Sequence, residues 1–130
     1  MYFKKLNSRA CDIIPAIPGD SGFFIRSSVF KKIPAQETKR IPTDISLKIP
    51  KNTFALFTSP FPHGQTTTHL LVEPSIQEIN YTGAVEVKVT NPGDSTFYVL
   101  AGDIVAKLFL VNCTAAILEQ AEDLDSVNKV

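Results

Sequence analysis

Apolar and polar residues alternate with a period of two along much of the chain. Between Gly83 and Thr90, Val85, Val87 and Val89 fall on one face and Glu86, Lys88 and Thr90 on the other. That is the pattern of a strand buried on one side. Between Asp44 and Pro50, Ile45, Leu47 and Ile49 alternate in the same way with Ser46 and Lys48. Asn91-Pro92-Gly93-Asp94 predicts a turn, Ser95–Leu100 a further strand, and Ala101-Gly102-Asp103 another turn. Ile104–Val111 is apolar at every position except Lys107, so this strand is expected to be covered on both faces. Strands recurring at intervals of about ten residues predict an all-β sandwich or barrel. Helical periodicity is nearly absent before residue 113. In Thr114–Leu124, Ile117, Leu118, Ala121 and Leu124 stand at helical spacing behind Thr114 as a candidate N-cap. A short helix and a frayed tail are both compatible with that segment, because short isolated helices are marginal. The chain is therefore divided into a β domain, 1–112, and a C-terminal tail, 113–130, helical or flexible.

Composition narrows the function classes. A length of 130 residues suits one domain, and a hydrophobic fraction of 44% supports a core and argues against disorder. Thirteen basic residues balance thirteen acidic ones, so no general charge excess points to nucleic acid. No apolar run has the length of a membrane span, and the start has no apolar segment behind its lysines. An intracellular protein with no nucleic-acid and no membrane partner is expected. Cys11 and Cys113 lack CxxC spacing, and His63 and His69 stand alone, so no metal site is expected. The thiols are expected to be reduced.

Four segments resemble the trimeric dUTPases. Asp20-Ser21-Gly22-Phe23-Phe24-Ile25 resembles the family's first motif, DAG(Y/F)DL, and no gap is needed between it and Thr43. Ile41-Pro42-Thr43-Asp44 and Ile49-Pro50-Lys51-Asn52-Thr53-Phe54 match the segment that leads to the active-site serine. Ser75–Gly83 resembles the third motif, GVID..Y.G, and Ala101–Phe109 the fourth, GDRIAQLI. The likeness spans about residues 2–112 and implies a dUTPase-like β-sandwich, or distorted jelly-roll barrel, assembled as a homotrimer. It also implies that the Thr43 position ends one strand.

The resemblance carries over roles residue by residue. Glu78 stands where the family has the Asp that activates water, and Tyr81 where a Tyr lies under the deoxyribose. Ser59, in Ser59-Pro60-Phe61-Pro62, is the remnant of the phosphate-binding second motif, and Lys107 replaces a phosphate-contacting Gln. Each position also has a plain structural role: Tyr81-Thr82-Gly83 as a hairpin element, Glu78 as a solvated loop carboxylate, Lys107 as a partner for an acid at a subunit contact. Leu56, Phe57 and Phe61 are either core or an exposed sticky surface. The departures are that Phe24 replaces the first-motif Asp that helps hold Mg²⁺, Ile104 replaces an Arg, and no glycine follows Gly102 to supply the family's glycine-rich arm. Two expectations follow. The first is a non-catalytic protein of the dUTPase type, with a viral accessory or structural role through an unidentified protein partner and without a cofactor. Val130 suggests a PDZ-type carboxylate ligand, although Asn128 stands where Ser or Thr is favoured. The alternative is a divergent dUTP pyrophosphatase using Glu78, Tyr81 and Mg²⁺.

Overall fold

Strand-forming alternation becomes antiparallel pairing throughout the computed structural model, which describes residues 1–16, 22–60 and 70–127. Asp20 and Ser21, Phe61, Pro62, His63 and His69, and Asn128 and Val130 lie outside the described residues. The strands are β1 (Tyr2–Lys5), β2 (Ile14–Pro15), β3 (Gly22–Arg26), β4 (Lys31–Ile33), β5 (Thr38–Lys48), β6 (Thr53–Thr58), β7 (Leu71–Val72), β8 (Ser75–Gln77), β9 (Ala84–Thr90), β10 (Phe97–Val99) and β11 (Ile104–Asn112). One sheet has the order β1-β5-β9-β7, a second β2-β3-β11-β6-β8, and β4 and β10 form a ribbon.

The core lies between these layers because each contributes one face of its pleat. Ile41, Ile45 and Leu47 from β5 and Val85, Val87 and Val89 from β9 meet Ile25, Ala55, Phe57, Ala106 and Leu108 from the second sheet. Ile33 and Val99 extend that core under the ribbon. Phe57 is thus core and Leu56 half-buried. On β11, Ala106 and Leu108 are fully buried, whereas Lys107 and Phe109 on the opposite face are only half covered within one chain.

Thr43 does not end a strand. β5 runs through it, and the pairing with β9 shifts there: Pro42 stands opposite Glu86 and Ser46 opposite Ala84. Pro42 has no N–H to give the ladder, and prolines inside sheets are confined to edges and bulges. Asp44 takes a φ of 54° at the bulge. The buried Thr43 hydroxyl donates to the Val85 carbonyl at 2.7 Å and accepts the Ile45 N–H at 3.3 Å, filling the gap left in the ladder.

The C-terminal helix does not form. β11 ends at Asn112, and residues 113–127 contain neither helix nor strand. Ile117 and Leu118 are 90% and 97% exposed, so the apolar stripe that spacing suggested finds no sheet of this chain to cover it. Without such packing, a helix this short does not repay its nucleation cost. Among the described residues no helix is long and apolar enough to cross a membrane. Cys11 and Cys113 are free thiols.

Candidate functional site

Ser75–Gln77 pairs with β6 in the second sheet, while Ala84–Thr90 pairs with β5 in the first. The connection between them, 78–83, therefore crosses from one sheet to the other and leaves an open depression of about 400 Å³. Arg40, Phe57, Gln77, Glu78, Tyr81 and Glu86 are among its lining residues. Gln77, almost fully buried, donates from Nε2 to the Tyr81 carbonyl at 3.0 Å, and the Tyr81 N–H donates to the Glu78 carbonyl at 3.1 Å. These bonds fold the connection so that Glu78 and Tyr81 share the depression. The Tyr81 hydroxyl donates to the Ala84 carbonyl at 3.0 Å, and the ring lies over Gly83, where an added Cβ would stand 2.5 Å from the hydroxyl oxygen. A side chain at 83 would thus have to push the Tyr81 ring aside, a matter of close approach rather than of backbone angle.

Lys107 and Ser59 form a second group. Lys107 stands opposite Thr58 on β6 and Phe24 on β3, its ammonium 4.9 Å from the centre of the Phe109 ring and its stem against Gly22. Ser59 follows Thr58 directly, and its carbonyl accepts the Thr58 hydroxyl at 3.3 Å. Glu78 lies beyond Gln77, which pairs with Ala55 near the other end of β6. Strand rise and spacing put the backbones of Glu78 and Lys107 roughly 15 Å apart. Within one chain the structure brings Glu78 together with Tyr81, and Ser59 near Lys107, but it does not join the pairs.

A family model described as dUTPase matches residues 9–130. The chain belongs to the dUTPase family. A deoxyuridine 5′-triphosphate nucleotidohydrolase of Arabidopsis thaliana is 30% identical over 94% of this chain and 73% of its own length. The vaccinia virus (strain Copenhagen) protein of the same name is 29% identical over 98% of this chain and 85% of its length. Among solved structures, the dUTPase of Staphylococcus bacteriophage 80alpha with dUPNHPP has a TM-score of 0.86 at 22% identity, covering 98% of this chain and 91% of its own. A mutant dUTPase from phage phi11 of S. aureus, described for its coordination of a structural Mg(II) ion, has a TM-score of 0.85 at 22% identity, covering 95% of this chain and 97% of its own. The all-β, jelly-roll-like dUTPase fold is thereby shared.

These relatives correct the first functional expectation. Relatives about 30% identical over most of the chain carry the name of the hydrolase, which speaks for dUTP hydrolysis rather than for a non-catalytic binding protein. The expectation failed because it counted departures motif by motif, and at about 30% identity most positions differ from any one relative. Magnesium asks for a near-octahedral set of oxygen ligands. Among the described residues no group of three or more His, Cys, Asp or Glu converges, and Phe24 offers no oxygen at the first-motif position. The residues described do not by themselves fit a magnesium ion.

Arg40 and Glu86 were not among the sequence candidates. Each occupies the polar face of its strand, where alternation predicts only solvent. The signal that finds them is the β5–β9 register together with the 78–83 crossing, and neither is written in local sequence.

Proposed function

We propose that this chain hydrolyses dUTP to dUMP and pyrophosphate in sites completed between copies within a homotrimer. The observation that carries this is the placement of Glu78 and Tyr81 in one open depression in a chain of the dUTPase family. Tyr81, held by its bond to Ala84, presents a ring face for the sugar. Glu78 is exposed at the depression and takes the proton of a water that attacks the α-phosphorus; the bond to the bridging oxygen breaks and pyrophosphate leaves. Ser59 and Lys107 of a neighbouring copy grip the phosphates, because within one chain they stand too far from Glu78.

The homotrimer is supported by surfaces that one chain leaves uncovered: the Lys107–Phe109 face of β11, and Ile117, Leu118 and Leu124 beyond it. Sedimentation at micromolar concentration tests this, with a stable monomer as the contrary result. The activity is tested by pyrophosphate release from dUTP in magnesium buffer. Turnover on the order of 1–10 s⁻¹ is expected, falling by roughly a hundredfold or more in Glu78→Gln. A wild type with no turnover, or a Glu78→Gln variant as fast as wild type, would defeat the assignment.

A further inference from the structure

We propose that the outward face of the β4–β10 ribbon docks an acidic peptide segment of another protein, one that carries an aromatic or large aliphatic side chain beside its carboxylates. The proposal does not depend on the dUTP assignment. In β10 the alternation of a half-buried strand fails. Val99 is buried and Phe97 half-buried, as the inward face requires, yet the outward positions hold Tyr98 and, just past the strand, Leu100. Tyr98 stands opposite Lys32 of β4, and the same register carried one step further sets Leu100 opposite Phe30. Phe30, Tyr98 and Leu100 are 53%, 53% and 56% exposed. The Phe30 and Tyr98 rings stack with centroids 6.0 Å apart and planes 25° from parallel, so they form one platform. Single exposed apolar residues are ordinary. Three together, on a face that a one-sided strand keeps polar, mark a contact surface.

Charge decides what the platform receives. The segments that carry it, 26–33 and 97–104, contain Arg26, Lys31 and Lys32 against one acid, Asp103. Asp103 is turned to the backbone, accepting the Leu100 N–H at 2.9 Å. Among the described residues neither Lys31 nor Lys32 makes an ion pair. A second copy fits poorly on two counts. In a two-fold contact the patch meets its own image, which brings like charges at Lys32 together. Three side chains also cover far less than the roughly 1,200 Å² that a stable interface buries. A nucleic-acid strand asks for a long basic track, and thirteen basic residues here balance thirteen acidic ones. An acidic peptide answers both features in a small footprint: its carboxylates meet Lys32 and Lys31, and its apolar side chain covers the rings.

The test starts from a random linear peptide library displayed on phage and selected on the full chain, with a Phe30→Ser/Tyr98→Ser double variant for counter-selection. The enriched peptides are synthesised and titrated by fluorescence anisotropy. They should pair Asp or Glu with an aromatic or large aliphatic residue. Phe30→Ser or Tyr98→Ser should weaken them by about tenfold or more, and Lys32→Glu by several-fold. Added salt should weaken binding to wild type, and less so to Lys32→Glu. All three variants should keep the dUTP turnover, Tm and sedimentation of wild type, because the ribbon lies outside the depression. Selection that yields no peptide preferring wild type, or peptides without acids, would overturn the proposal. So would equal binding to a thymidine oligonucleotide, which would make the platform a nucleic-acid site. Loss of assembly in Phe30→Ser or Tyr98→Ser would make it a subunit contact instead. Comparable binding of a peptide of residues 113–127 would assign the face to the tail of this chain, and the proposal would fall.

Discussion

Thr43→Val is the substitution whose cost follows most directly from the bulge in β5. Valine matches threonine in shape, so no cavity opens and the strand keeps a β-branched residue. What disappears is the hydroxyl, which is 0% exposed and joins the Val85 carbonyl at 2.7 Å to the Ile45 N–H at 3.3 Å. Because the β5–β9 ladder is interrupted here, neither backbone group has a partner in register across that pair. An abandoned buried carbonyl costs about 1–3 kcal/mol, and the longer bond adds about 0.5–1 kcal/mol, so the total is about 2–4 kcal/mol. For a chain of this length that lowers Tm by roughly 10 °C. Thr43→Ser keeps the hydroxyl and deletes one methyl, a loss of about 1 kcal/mol. Thermal and urea unfolding should be compared at one fixed protein concentration, since assembly couples to stability. If Thr43→Val proves no less stable than Thr43→Ser, the hydroxyl does not bridge the bulge and the account of this strand is wrong. Val85 also borders the depression, so the valine variant should weaken binding of a dUTP analogue more than its stability loss alone predicts at saturating folded fraction.

The Asp44 carboxyl is held below its usual range by hydrogen bonding to Ser28 and then Asn7, against an opposing push from burial, with the Arg9 guanidinium assisting. A lowered folded pKa means stability that is present above the ordinary carboxylate range and lost as pH falls through the folded value. Resistance of wild type to denaturation should therefore weaken from about pH 6 toward about pH 3, and Asp44→Asn should flatten that acid limb; identical limbs would count against it. Gly83→Ala should displace the Tyr81 ring and break its bond to Ala84, lowering dUTP turnover by on the order of tenfold or more while Tm changes little. Unaltered turnover there would separate Tyr81 from the sugar.

Alternation made β9 legible almost to the residue, because one face lies in the core and the period of two survives tertiary context, and an apolar run broken only by Lys107 did the same for β11. β5 was legible only in its second half, Ile45 to Lys48. Its first half carries Arg40 and Pro42, and nothing local announces that the chain continues through them by bulging. The tail misled because helical spacing records only that apolar residues could share a face, not that another surface exists to receive them. In the site, the family motifs located Glu78 and Tyr81, which one short connection brings together. They said nothing of the separation between that pair and Lys107, which depends on β8 and β11 flanking opposite edges of β6.

That separation bears on how the departures from the family pattern are weighed. Taken in sequence order, Phe24, the region after Ser59 and Ile104 look like successive deletions from one site. In space Phe24 sits beside Lys107, while the depression at Glu78 draws its other charges from Arg40 on β5 and Glu86 on β9. A group missing from one motif is not missing from a site if another strand delivers a charge to the same volume. Electrostatic stabilisation depends on where a charge stands relative to the reacting atoms, and not on the motif that supplies it. What this chain has kept is therefore defined by volume, one face of the depression at a time. By that measure the depression at Glu78 already holds a ring, a donor and an acceptor, and in the proposed reaction the grip on the phosphates falls to a second copy.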